Sequence, residues 1–271
     1  MSTNLANAPL VYTLWAMRYT HVPRPERFVD EIQERLRARY PHLDDVQVQV
    51  HKLTMGSDGV RVEQRSSRLW QFATADREWA FTFSDDTFAL HTSSYRDHEN
   101  CADRFREGVT ALATTPGLDI GHVEGLGVRY VDLVAPRDGE NLHEYLEEWV
   151  LPPEVPPGKH DGVRIRDGHY AASYETALGQ LRLKALRNPA LTLPPELNTP
   201  LIAKNGWMPE RPQGEFAIVD QDHGSSFAPP RLMDVNWACD HLVHLRTVVK
   251  SLFLAMGKKH AWDVWRGEET C

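Results

Sequence analysis

The sequence predicts an α+β fold in which antiparallel sheet packs against long amphipathic helices. Three observations carry that expectation. Period-two segments follow one another with acidic or glycine turns between them, as in RLWQFAT (68–74), EWAFTFS (78–84) and TFALHTS (87–93). Two long segments, 97–113 and about 234–257, repeat apolar residues at helical spacing. The order strand, acidic turn, helix occurs in FTFSDDTFALHTSSYRDHENCADRFREGVTAL and again in FAIVDQDHGSSFAPPRLMDVNWACDHLVHLRTVVKSLF. A diverged duplication would give two related β-rich and helical halves; chance recurrence of a common unit explains the pattern equally.

In order along the chain, LVYTLWAMRY (10–19) alternates as a strand. PERFVDEIQERLRARYP (25–41) places Phe28, Ile32, Leu36 and Tyr40 on one helical stripe between two prolines. VQVQVHKL (46–53) is a half-buried strand, and the three segments above complete a meander. Asp97 is positioned to cap a helix whose apolar face carries Cys101, Phe105, Val109 and Leu112. HVEGLGVRYVDLV (122–134) reads as a strand, so the first half is β-α-β-β-β-β-α-β. Beyond it, NLHEYLEEWVL (141–151) is expected to be helical. Proline-rich loops follow at 151–162 and 189–212, around a hairpin centred on Gly179. Strand GEFAIVDQD then leads to a final helix with Ala238, Leu242, Leu245, Val249, Leu252 and Met256 in register. The expected division is 1–137 and 138–271, as two halves or one intertwined domain.

Composition narrows the function classes. Lys and Arg number 30 against 38 Asp and Glu, a formal charge of −8 that the two halves share equally. Such a chain is repelled by phosphate backbones, so broad nucleic-acid binding is not expected. The two local basic sets, Arg61/Arg65/Arg68 and Arg182/Lys184/Arg187, have strand spacing and fit solvated strand faces. Three cysteines without paired spacing point to a reducing compartment. The opening MSTNLANAPLVYTLWAMRY has neither a basic leader nor a long apolar core, which predicts a cytoplasmic protein without a membrane anchor.

The densest chemistry lies at 216–245. Period-two alternation puts Asp220 and Asp222 on one strand face, where they could hold a metal through phosphate oxygens or divide acid and base roles. D-x-D followed by His-Gly is also how a strand runs out into a turn. On the helix, His241 edges the apolar stripe, and Asp240 and His244 stand at i, i+4. The catalytic candidates are therefore Asp220, Asp222 and His241; the metal candidates are Asp220, Asp222, His223 and His244. A core-edge histidine is the competing reading for His241, since the glutamate of a zinc-protease motif is absent. No nucleophile elbow, P-loop or dinucleotide fingerprint occurs; GLGVRY has two glycines but precedes no helix. No cofactor follows from the sequence. Trp70, Phe72, Trp79, Phe81, Phe83 and Phe88 could line a hollow for an apolar ligand or fill the core.

The segments NAPLVYTLWAMRY, LWQFATAD, TSSYRDHENCADRF, GLGVRYVDLV, AIVDQDH and HLVHLRTVVKSLF together resemble the sporadically distributed bacterial and archaeal proteins of about this length to which no activity is assigned. The resemblance spans most of the chain. It diverges at Val128, and at Asp132, where the family carries asparagine. Patchy distribution implies accessory, defence or specialised biosynthetic loci. With no complete catalytic constellation, the expected function is a non-enzymatic binding or adaptor protein. It would act with a protein partner or as a homo-oligomer, through a sheet face or the proline-rich loops. The alternative is a metal- or acid/base-dependent enzyme acting on a small or phosphorylated substrate.

Overall fold

A computed structural model describes residues 5–56, 59–155, 162–194, 197 and 209–268. The described strands are β1 (Leu10–Tyr19), β2 (His42–Gly56), β3 (Gly59–Ala73), β4 (Trp79–Phe83), β5 (Thr87–Thr92), β6 (His122–Val134), β7 (Gly168–Thr176), β8 (Gly179–Arg187) and β9 (Ala217–Leu232). They form a single sheet in the order β2-β3-β4-β5-β1-β6-β9-β8-β7, each pair antiparallel. The helices are α1 (Val29–Leu36), α2 (His98–Ala113), α3 (Leu142–Tyr145), α4 (Val235–Met256) and α5 (Lys259–Arg266). No described helix is long and apolar enough to cross a membrane.

The sheet crosses the boundary at residue 137, because β6 pairs with β1 on one side and with β9 on the other. The strand preceding each long helix lies beside this central pair: β5 next to β1 before α2, and β9 next to β6 before α4. Both helices start where a side chain receives the first free N–H groups: Asp97 accepts from Asn100 N at 2.7 Å and Asp234 from Trp237 N at 2.7 Å. They pack against each other on one sheet face and bury the main core, which includes Trp15, Met17, Phe72, Phe81, Phe88, Phe105 and Leu245. Gly108 makes that approach possible, since a Cβ there would stand 2.5 Å from the Phe81 ring and 2.8 Å from that of Phe88. All six candidate aromatics of β3, β4 and β5 are buried in this core, with Phe81 and Phe88 stacked at 5.0 Å. Cys101 and Cys239 are buried free thiols of the same core. The opposite face carries a smaller apolar cluster of Tyr12, Val131, Phe216 and Ile218 with Leu193 and Leu197.

Some elements differ from expectation for identifiable reasons. The segment from Pro25 begins as a 3-10 turn, and α1 ends at Leu36; Tyr40 lies beyond it yet remains buried. A capping box between Asn141 and Glu144 starts α3. Only one turn forms, because Leu146 turns extended to bridge Gly257 and Glu147 N donates to Met256 O. Strand β9 does not run out at His223 but continues to Leu232. Its Gly224 passes so close to Gly179 that a Cβ on the latter, whose φ is +141°, would lie 2.1 Å from the Gly224 carbonyl oxygen. The interiors of both proline-rich loops, at 156–161 and most of 195–208, lie outside the described residues, as do Cys271 and the side chains of Arg61 and Arg65.

Candidate functional site

Strand alternation separates the groups that the sequence set side by side. Through its register with β6 and β8, β9 directs Asp220 and Asp222 to the face away from the long helices. There Arg129 grips Asp220 with two parallel bonds, Nε to Oδ1 at 2.8 Å and Nη2 to Oδ2 at 2.7 Å. Asp222 is half exposed and 3.9 Å from Arg182. His223 points the other way, under α4: its Nδ1–H donates to the Leu245 carbonyl at 2.9 Å and its Nε2 lies 2.9 Å from the Thr176 hydroxyl. His241 places Nε2 2.6 Å from Ser225 Oγ between the Phe227 and Trp237 rings. Burial lowers the pKa of both histidines, which favours the neutral form in these hydrogen bonds. His244 is exposed on the far side of α4. The sheet thus stands between the two aspartates and His223 and His241. Among the described residues, no group of three or more His, Cys, Asp or Glu is placed to hold a metal ion.

The same alternation sends a different set of polar groups into a cavity of about 480 Å³. It lies between the central strands and the second half of α4, closed by the segment at Leu5–Leu10, by Tyr95–Asp97 before α2, and by Trp262 of α5. Tyr130 and Asp132 reach it from β6, and Gln221, the residue between the two aspartates, reaches it from β9. Gln221 is 1% exposed, and neither its Nε2 nor its Oε1 has a hydrogen-bond partner. The Tyr95 hydroxyl is likewise buried, and Tyr130 and Arg246 approach it closely enough to oppose the rise in pKa that burial imposes. Tyr130 accepts from Trp15 Nε1 at 3.0 Å and meets Tyr95 edge to face at 5.7 Å.

Asp132 is 3% exposed. Burial pushes its carboxyl up to about 7; the nearby Gln221 amide opposes that shift and the Asp220 charge adds to it. Gln221 acts on the carboxylate from close by, but without the geometry of a full hydrogen bond, since its Nε2 remains unpartnered. Arg246 and Lys250, one turn apart on α4, line the mouth and make no ion pair among the described residues. Leu10, Val249, Phe253 and Trp262 supply the apolar walls.

Sequence reasoning fixed on Asp220 and Asp222 and passed over Gln221 and Asp132. The signal was present: in the inward rows Val219-Gln221-His223 and Val128-Tyr130-Asp132-Val134, a polar residue occupies a position where an apolar one packs best. The glycines of GLGVRY serve the sheet, where Gly125 and Gly127 face Ser225 and Gly224 backbone across β6 and β9. No protein-family model matches the chain, and no curated protein matches it either.

Proposed function

We propose that this chain is a non-enzymatic binding protein whose ligand occupies the cavity between β6, β9 and α4. One observation carries the reading: a buried amide without hydrogen-bond partners, Gln221, opens onto a cavity of ligand size beside the buried Asp132 carboxyl. An unpaired buried amide costs about 1–3 kcal/mol, and Gln221 carries that cost at the edge of this space. Ligand pockets range over about 300–1,000 Å³ with mostly apolar walls and a few convergent polar groups. A ligand with a matching polar edge would supply the partners that Gln221 lacks within the protein.

The expectation of a protein partner or homo-oligomer extends this reading. The sheet ends on β2 and β7, and an edge strand offers unpaired backbone groups for a further strand. The equivalent placement of β5-α2 and β9-α4 about the central β1-β6 pair is what a diverged duplication would leave.

A thermal-shift screen of small metabolites tests the binding reading. At least one compound should raise the Tm, and the effect should vanish in Ala8→Trp, which fills the mouth from an exposed position. If no compound shifts the Tm, or if every shift persists in Ala8→Trp, the cavity is not the site. A second reading has one observation in its favour. A carboxyl titrating near neutrality in a cavity is suited to general acid chemistry. Consumption of the bound compound, abolished in Asp132→Asn with binding retained, would establish it.

A further inference from the structure

Resting on the cavity as a ligand site, we propose that it takes a small organic anion whose uncharged end is a planar ring with a cyclic-amide edge, an N–H beside a C=O. Uridine and guanosine monophosphates have this chemistry.

Each part of the ligand answers to a part of the site. At the floor, Gln221 presents a free donor and a free acceptor beside the Asp132 carboxyl. A ring edge with N–H next to C=O fits the Asp132–Gln221 pair: the Asp132 carboxylate accepts from the ring N–H and Gln221 Nε2 donates to the ring carbonyl. Flat aromatic and aliphatic walls, with Phe253 and Trp262 on one side, suit the faces of a ring. A polyol would leave those walls in contact with hydroxyls, and a hydrocarbon would leave Gln221 unpaired. At the mouth, Arg246 and Lys250 outweigh the nearby Asp97, whose neighbour Arg96 is also basic, so the solvent end of the ligand should be negative. A cationic ligand would meet those two side chains on the way in.

Isothermal calorimetry at about pH 8, where Asp132 is mostly ionised and only accepts, tests the assignment. UMP and GMP should bind, while CMP and AMP, which present an acceptor nitrogen in place of the ring N–H, should bind at least about tenfold more weakly. Uridine without phosphate should lose about tenfold, and inorganic phosphate alone should show no saturable binding. A terminal nucleotide of RNA carries the same chemistry. Short oligouridylate binding more tightly than UMP would assign the site to RNA ends; weaker binding assigns it to the free nucleotide.

Asp132→Asn, whose amide can donate to a ring nitrogen as well as accept from a ring N–H, should erase the preference for UMP over CMP. The double variant Arg246→Ala/Lys250→Ala, at two half-buried positions of the mouth, should erase the preference for UMP over uridine. CMP or AMP binding as tightly as UMP overturns the proposal, as does a ring preference that survives in folded Asp132→Asn. If no cyclic-amide nucleotide binds while another compound does so in an Ala8→Trp-sensitive way, the ligand class falls and the cavity reading stands. If nothing binds, both fall.

Discussion

Asp132→Asn should stabilise the protein at alkaline pH and leave it nearly unchanged in acid. Burial lifts this carboxyl from 3.8 to about 7, so the folded chain holds a proton that the unfolded chain has released between those values. Stability contributed by the protonated form is complete below about pH 4 and is lost as pH rises through about 7. The size follows from the shift. About three pK units at 1.36 kcal/mol each give an upper figure of ~4 kcal/mol, reduced in practice by relaxation around a cavity that admits water. Asp220, through the sheet, adds to the shift, and the cavity lining carries Arg96, Asp97, Arg246 and Lys250 as its charged groups. Asparagine is nearly isosteric and never ionises. Its advantage over aspartate should therefore grow with pH by up to ~1.4 kcal/mol per unit across the titration. Urea denaturation of both proteins between about pH 5 and 8.5 measures this directly. Parallel pH profiles for the two proteins would refute the reasoning, because they would mean that Asp132 is not held neutral by burial.

Three further outcomes follow from the packing. Arg129→Ala strands Asp220 without the guanidinium that grips it, at 3% exposure, and should cost about 3–5 kcal/mol in urea, with Asp220→Ala in the same chain recovering part; a loss below about 1 kcal/mol would contradict the pairing. Asp234→Ala removes the side chain that caps α4 and should cost about 1 kcal/mol, read by calorimetry as a Tm lower by roughly 2–4 °C. Gly108→Val forces a branched side chain into the Phe81 and Phe88 rings and should destabilise by at least about 1–3 kcal/mol despite the better helix propensity of valine; a neutral result would mean that α2 does not ride on those rings.

The elements with clean periodicity were legible in the sequence. Strand β1, strand β6, the capped helix α2 and the long helix α4 lie close to where alternation, the Asp97 cap and the apolar stripe of the last helix put them. What sequence could not supply was a tertiary decision. Residues 141–151 have helical composition, yet the chain leaves the helix after Tyr145 because the end of α4 offers Leu146 and Glu147 a backbone partner. His223 and Gly224 read as a turn, yet β6 and β8 hold that segment extended from both sides. The polar run at 220–223 was correctly split by period two into two faces. Its meaning was inverted, however, by attention to charge. The aspartates are engaged by arginines of neighbouring strands, whereas the uncharged residue between them is the one without partners. An arginine 91 positions away is invisible to local pattern, and so is the cavity that makes Gln221 matter.

Asp132 and Gln221 each have a substitute that would make the protein more stable: asparagine at 132 and leucine at 221, in strand rows that face the core. Their cost falls on one cavity, whereas the buried Arg129–Asp220 pair on the opposite face satisfies its own charges. That asymmetry argues against general tolerance of buried polarity as the explanation. It also fits what selectivity requires. A site of preformed apolar walls distinguishes ligands weakly, by about 1–3 kcal/mol per methylene. A site whose polar floor is left unpaired by the wrong ligand discriminates far more strongly. The same unpaired amide and raised carboxyl that weaken the empty fold would, once matched, set which ring can enter. Stability in alkali and ligand preference should therefore move in opposite directions when Asp132 and Gln221 are replaced, a coupling that substitutions at Asp220 should not reproduce.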